Sequence, residues 1–473
     1  MRVTNHQLYA GRLFLPFVAA AALFFASCKK NEVTDTVVPD TTTDSVKTEL
    51  AGRQFVLTPD AYGRLSVNNS NNYYKPGDVL ILKGNFSAVY FYNLSGSASA
   101  PITICNPTGA VTTIGNPNWA GGSWAEGISF TNCHYIKLGS KTSKKNFLIK
   151  GSTQSARQAY FNLILREHTD NFEIRNLTIT GGGTGIWAKT DPKKNDGSTW
   201  HPNSQMNNLT IHDCEISGTY NEAMYIGHTA TYWDLTSGMG YNGSTAGFAS
   251  GHTYVQPIKW YNVKIYNNYV HDIGADGIQT AATDKLEIYN NEVKNWALQH
   301  NPAHNGGILV GGRVTNSNIH DNYVHDGWGE LLQFYGSGAI GGMHYIRNNL
   351  FRDNQGRHDG VSLRGTDNAV VQISNNTIAN TGGVSLRING YDRRMTKPQI
   401  VNANAFIHPK TAGGAIYANA YIYTEGGGTY KEGTGTLANV KIPTLSAALV
   451  DINNYYLPKA GSPLKTAGYR KAK

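Results

Sequence analysis

Four carboxylates in this chain occupy one recurring place, immediately ahead of a short apolar run. Glu222 precedes AMYIG (223–227), Asp276 precedes GIQTA (277–281), Glu330 precedes LLQFY (331–335) and Asp359 precedes GVSLR (360–364). Gly306 holds the same place ahead of GILVG (307–311). Only 15% of the chain is charged, so four acidic residues in five such positions point to chemistry. If the runs stack as neighbouring strands, Glu222/Asp276 and Glu330/Asp359 fall about 5 Å apart, and pairs across the glycine about twice that. The shorter separation suits Ca²⁺ chelation, here by Glu222 and Asp276, or a retaining glycosidase pair; the longer suits an inverting pair. The competing reading is that each carboxylate caps backbone N–H groups at its corner, because strict alternation along the runs turns all four inward.

The outward positions of the same runs form two columns. One reads Trp187, Tyr225, Gln279, Leu309, Gln333, Ser362, Ser385, and the other Lys189, Gly227, Ala281, Gly311, Tyr335, Arg364, Arg387. Small residues flanked by aromatics and cations describe a groove, in which aromatic faces stack on sugar rings and Arg forks bind a carboxylate or sulfate. A solvated strand face with incidental Arg and Tyr is the plainer alternative. Within the groove, Arg364 stands between Tyr335 and Arg387, with Glu330 and Asp359 at the corner of the same rungs. That grouping would pair a uronate carboxylate and leave a base beside it. His228, His304 and His358 flank the runs, and each can act as acid or base near neutral pH. His271-Asp272 and His325-Asp326 repeat after IYNNYV and IHDNYV, which favours a structural corner. Two long insertions, residues 190–206 and 229–260, leave from the ends of the runs. They carry Trp200, Tyr232, Trp233 and Tyr241, candidates for stacking on a ligand.

These residues are positioned by a repeat. Ile-x-(Asn/Asp)-Asn-x-(Val/Ile) recurs as IYNNYV (265–270), IYNNEV (288–293), IHDNYV (319–324), IRNNLF (346–351), ISNNTI (373–378) and VNANAF (401–406), with IHDCEI (211–216) and IRNLTI (174–179) as variants. No single copy can bury its apolar residues, so the copies must stack as a solenoid. The second Asn (Asn268, Asn291, Asn322, Asn349, Asn376, Asn404) then forms a ladder, each side chain bonding its neighbour and the corner backbone. Cys214 falls in the same column as buried filler. In the runs, Met224, Ile278, Ile308, Leu332, Val361 and Val384 are expected to face the core.

The 52 Gly and 47 Asn suit such a chain, since both accept the left-handed backbone of tight corners. The same composition excludes a coiled coil. A formal net charge of +9, spread along the chain, permits anionic partners, and the lack of a helix-turn-helix, zinc-finger or RNP pattern argues against nucleic acid. Residues 1–27 read as an export signal, with Arg2 and Arg12 ahead of an apolar run. Cys28, directly after Phe-Ala-Ser, resembles a lipoprotein lipidation site and implies an envelope-anchored chain with only a lipid in the membrane. Residues 28–50 form a Thr/Asp-rich tether, 51–150 a cap with the first coils, 151–420 the main solenoid and 421–473 a closing coil and cap. Of the remaining cysteines, Cys105 and Cys133 could pair or stay as buried thiols.

The Asn column, the repeat length and GSPL (461–464) resemble the right-handed parallel β-helix proteins of the pectin-lyase-like superfamily. The resemblance implies an all-β right-handed parallel β-helix solenoid. KPGDVLILKGNF (75–86) with PITICN (101–106) is similar to the opening of the chondroitinase B and alginate lyase family. That likeness implies Arg364 as the catalytic Arg and Glu330 as an acidic Ca²⁺ ligand. The family's Lys falls on Tyr335, and its His after Arg falls on Gly365. The expected function is an envelope-anchored carbohydrate-active protein cleaving an anionic polysaccharide by elimination. The alternatives are a glycoside hydrolase using the paired carboxylates and a non-catalytic glycan-binding lipoprotein.

Overall fold

The computed structural model describes residues 52–335, 341–391, 394–410 and 419–471. Cys28, the export signal and the tether lie outside them. Three long sheets, all parallel, lie between Gln54 and Ile442. The first has thirteen strands from Gln54–Leu57 to Tyr430–Glu432, the second twelve from Asn85–Phe86 to Val440–Ile442, and the third twelve from Arg64–Asn68 to Ile422–Glu425. Each coil contributes one strand to each sheet in turn, as in Lys259–Tyr266, Tyr269–His271 and Ile278–Thr280. The chain is a right-handed parallel β-helix. Among the described residues no helix is long and apolar enough to cross a membrane.

The repeat explains the first corner. Its first Asn or Asp takes the left-handed backbone, with φ of 55° at Asn267, 53° at Asn290 and 57° at Asp321, a conformation these side chains tolerate better than most. The chain thus turns in two residues, and Ile265 and Val270 on either side point into the core, fully buried. The second Asn builds the ladder. Side-chain amides donate rung to rung from Asn268 to Asn291 (2.9 Å), Asn291 to Asn322 (3.0 Å), Asn322 to Asn349 (2.9 Å), Asn349 to Asn376 (2.9 Å) and Asn376 to Asn404 (3.0 Å). Each also donates to a core-strand carbonyl, as Asn322 does to Ile288 (2.8 Å). The ladder continues to Asn439, which lies outside the repeat motif (3.0 Å). Cys214 fills the column, its N–H donating to Asn268 Oδ1 (3.0 Å). Cys105 and Cys133 are separate buried thiols.

The Val-His-Asp corners are structural. His271 and His325 each bond the following Asp at 2.7 Å. Near the C-terminus, Tyr456, Leu464 and Tyr469 cover Leu350, Ala379 and Ala405 on the outer face of the second sheet. The two insertions fold together into a small antiparallel sheet, ordered Trp200–His201, Tyr254–Pro257, Tyr232–Asp234, Met239–Tyr241.

Replacing Asn322 or Asn349 with Ala leaves buried corner groups without partners, at an expected cost of about 1–3 kcal/mol each. Asn71→Ala, at an exposed turn, should cost far less. Calorimetry compares the two sets, and equal melting temperatures would contradict the ladder.

Candidate functional site

The third sheet carries the candidate residues. Its relevant strands are β1 (Thr184–Ala188), β2 (Met224–Ile226), β3 (Ile278–Thr280), β4 (Ile308–Val310), β5 (Leu332–Phe334), β6 (Val361–Arg364) and β7 (Leu386–Asn389). The outward column is Trp187, Tyr225, Gln279, Leu309, Gln333, Ser362 and then Arg387. Arg387 was expected beside Arg364, and Ser385 in its place. Instead Arg364 pairs with Asn389, and Leu386 rather than Val384 stacks on Val361. The cause lies in the preceding turn. Asp359 Oδ1 accepts the Val384 N–H (3.0 Å), and a Cβ at Gly383 would stand 2.5 Å from that oxygen. The glycine and the carboxylate together hold two further residues in the corner.

Strict alternation also fails ahead of each strand, which decides where the carboxylates point. Two successive residues face the core: Ala223 with Met224, and Leu331 with Leu332. On the rungs between and after them the first of the two is glycine. A Cβ at Gly277 would meet Val293 Cγ1 at 2.6 Å, and one at Gly360 would meet Ile378 Cγ2 at 2.6 Å. With both residues turned in, Glu222, Asp276, Glu330 and Asp359 turn out, to the side of Gln333, Arg364 and Arg387. The inward orientation expected from alternation is therefore corrected, although Asp359 and Asp276 do cap backbone N–H groups as well.

The column divides into two halves by charge. In one, cations neutralise the acids. Arg364 Nη2 donates to Glu330 Oε1 (2.6 Å), and its guanidinium lies 5.2 Å from the Tyr335 ring centre. Arg387 pairs with Asp359 and with Glu425 (3.0 Å). Glu330 also accepts from Gln333, which reaches Asn305, and Asn305 meets His358 Nδ1 at 3.3 Å.

In the other half the acids have no Lys or Arg within ion-pair distance among the described residues. One oxygen from each of Glu222 and Asp276 and one nitrogen of His304 lie within 4.8 Å of one another. His304 Nδ1 is 3.5 Å from an oxygen of each acid, at the limit of hydrogen bonding. Asp276 Oδ1 accepts the Gly306 N–H (2.6 Å), while its Oδ2 is buried without a hydrogen-bond partner. Gly306, the gap in the acidic column, keeps this approach clear, and His304 fills the gap from two residues upstream. Burial pushes the Glu222 carboxyl above its ordinary range, and the neighbouring Asp276 adds to that. Burial likewise raises Asp276, with His304 opposing. Asp276 raises His304.

Other expected contacts are spent internally. Lys189 is enclosed, 2.9 Å from Asp191 and 4.8 Å from the Trp187 ring centre, so it is not open to a substrate carboxylate. Burial opposes its charge, but Asp191 outweighs this and raises it. Gln279 and Gln333 are buried and form the floor of the sheet face rather than a contact surface. Tyr225 donates to or accepts from Thr229 (2.7 Å). In the insertions, Trp233 packs edge-on against His228, and Trp200 donates to the Lys193 carbonyl (2.9 Å).

For Ca²⁺, expected on Glu222 and Asp276, the fit is poor. Calcium takes six to eight oxygens, and the third donor here is an imidazole nitrogen, which favours ions of the zinc type.

Residues 254–427 match a family model described as right handed beta helix region. No curated protein matches the sequence. Among solved structures, the chain is similar to a GH136 lacto-N-biosidase from Eubacterium ramulus, with 14% identity and a TM-score of 0.48, over 78% of this chain and 63% of that one. It is also similar to an alginate lyase from Paenibacillus sp. str. FPU-7, with 13% identity and a TM-score of 0.36, over 80% of this chain and 96% of that one.

The electrostatics of the cluster have a defined sign. The His304 imidazolium adds stability below its ordinary value of 6.5, and that is lost as pH rises through its raised folded value. Glu222 and Asp276 act in the same direction, since the folded chain holds their protons more tightly and stability falls as pH rises through their raised values. In Asp276→Asn, His304 loses its main support and should titrate lower than in the parent protein. Imidazole NMR measures this, and an unchanged midpoint would contradict the pairing.

Proposed function

We propose that this chain is a carbohydrate-active enzyme, a glycoside hydrolase in which Glu222 donates the proton and Asp276 attacks the anomeric carbon. One observation carries the reading: two buried carboxylates on adjacent rungs, facing outward, share a half-exposed His and, among the described residues, no Lys or Arg. Glu222, raised by burial and by Asp276, keeps its proton to higher pH and is poised to give it to the glycosidic oxygen. Asp276, held by the Gly306 N–H and beside His304, is the acid better supported as an anion. One oxygen of each lies within 4.8 Å of the other, which falls on the side of a retaining pair, with carboxyl groups about 5–5.5 Å apart, rather than an inverting pair at about 6.5–9.5 Å. His304 is 40% exposed at its side chain and lacks a hydrogen bond at Nδ1, so it can turn aside as a sugar enters.

An eliminative lyase is the second reading, favoured by the Arg364 guanidinium over the Tyr335 ring. In it Arg364 and Tyr335 act with Glu330 and Asp359 on a uronate. It requires Arg364 to exchange Glu330 for the substrate. In either reading the partner is a polysaccharide, and the chain is held at the cell envelope by a lipid on Cys28, which mass spectrometry of the mature N-terminus would detect.

Kinetics on a panel of neutral and uronate-containing glycans separate the two. Glu222→Gln and Asp276→Asn should each lower kcat by at least about 100-fold, with Arg364→Ala much milder and products free of unsaturation. The reverse ranking, with the ultraviolet absorbance of an unsaturated uronate, would replace the hydrolase with the lyase.

A further inference from the structure

Against the sheet formed by the two insertions lies a buried cation that neither half of the acidic column uses. Arg313 follows β4 and is 4% exposed. Its Nη2 donates to the Pro257 carbonyl (2.6 Å), but Nη1 is buried without a hydrogen-bond partner. Among the described residues no carboxylate forms an ion pair with it. A guanidinium taken out of water with an unmatched N–H edge is strongly disfavoured unless an anion meets it.

Its surroundings add positive charge. Lys259, at the start of the strand Lys259–Tyr266, directs Nζ to Thr315 Oγ1 (3.3 Å). His201 stands in the insertion sheet opposite Gln256, next to the strand that carries Pro257. Asp284, the carboxylate that acts on Lys259, already accepts from Thr315 (2.7 Å) and Asn316 (2.8 Å). Burial pushes Arg313 down to about 10. Lys259 and His201 are also lowered, by burial first and then by Arg313.

We infer that Arg313, Lys259 and His201 form an anion-binding subsite, which takes the carboxylate or sulfate of an acidic sugar in the glycan that Glu222 and Asp276 cleave. Gly306, beside the carboxylate pair, and Arg313 lie beyond opposite ends of β4, seven residues apart, so the chain between them spans at most roughly 23 Å. One extended glycan chain spans that distance. The inference rests on the hydrolase reading for the chain that carries the anion, while the anion site itself does not.

The test is binding, measured without turnover. Inorganic sulfate and glucuronate are titrated by calorimetry into the full chain and into its Glu222→Gln variant, with chloride at matched ionic strength and glucose as controls. The expected result is saturable binding of sulfate, glucuronate or both, equal in the two proteins, with the stronger ligand identifying the anionic group. Arg313→Met should abolish it, and Lys259→Gln should weaken it at least tenfold. No saturable binding, or equal binding in the parent protein and Lys259→Gln, overturns the subsite even if Arg313→Met does not fold. Retained activity in Glu222→Gln would instead overturn the hydrolase and leave the subsite standing.

Discussion

Everything in this molecule depends on parallel strands stacking one coil above the next at the backbone hydrogen-bond spacing of about 4.8 Å. That spacing holds only if every coil turns at the same place. The buried Asn ladder enforces this at the first corner, because each amide must find both the next amide and a strand carbonyl. A coil that slipped by one residue would break two bonds in a fully buried setting and turn its apolar residues outward. The same regularity brings residues 54 positions apart, Glu222 and Asp276, onto adjacent rungs.

Against this rigid frame, charge varies along one column. Where Arg364 and Arg387 project beside Glu330 and Asp359, the acids are held as ion pairs and contribute to structure. Where the corresponding residues are Tyr225 and Gln279 in the column of Arg387, and Gly227 and Ala281 in that of Arg364, no Lys or Arg among the described residues pairs with Glu222 or Asp276, which have one His between them. Buried acids with raised affinity for protons are the usual material of proton transfer. The difference between the two halves therefore comes from which side chains the neighbouring strands project, on an unchanged backbone.

Much of this was legible in the residues. The Asn-Asn corner, the core-facing Ile and Val, the buried Cys214 and the acidic column all follow from local spacing, since each repeat must present the same face to the same neighbour. Four features were not. Arg387 moved because a side chain, Asp359, reordered the turn before β7, and turn length is poorly specified by apolar periodicity. The carboxylates face outward because two successive residues turn in at the corner, which a period of two cannot express. His304 was read as an acid or base flanking the runs, but not as the partner of Glu222 and Asp276, because it reaches them from a loop. Arg313 lies under residues brought in by the insertions, a contact that no repeat encodes.

The central claim is that adjacent rungs set Glu222 and Asp276 close enough to work as a retaining pair. The most direct measurement is the anomeric configuration of the first sugar released from a cleaved glycan, followed by proton NMR before mutarotation. Retention of configuration is the predicted result. Inversion, or release of an unsaturated sugar, would contradict the account.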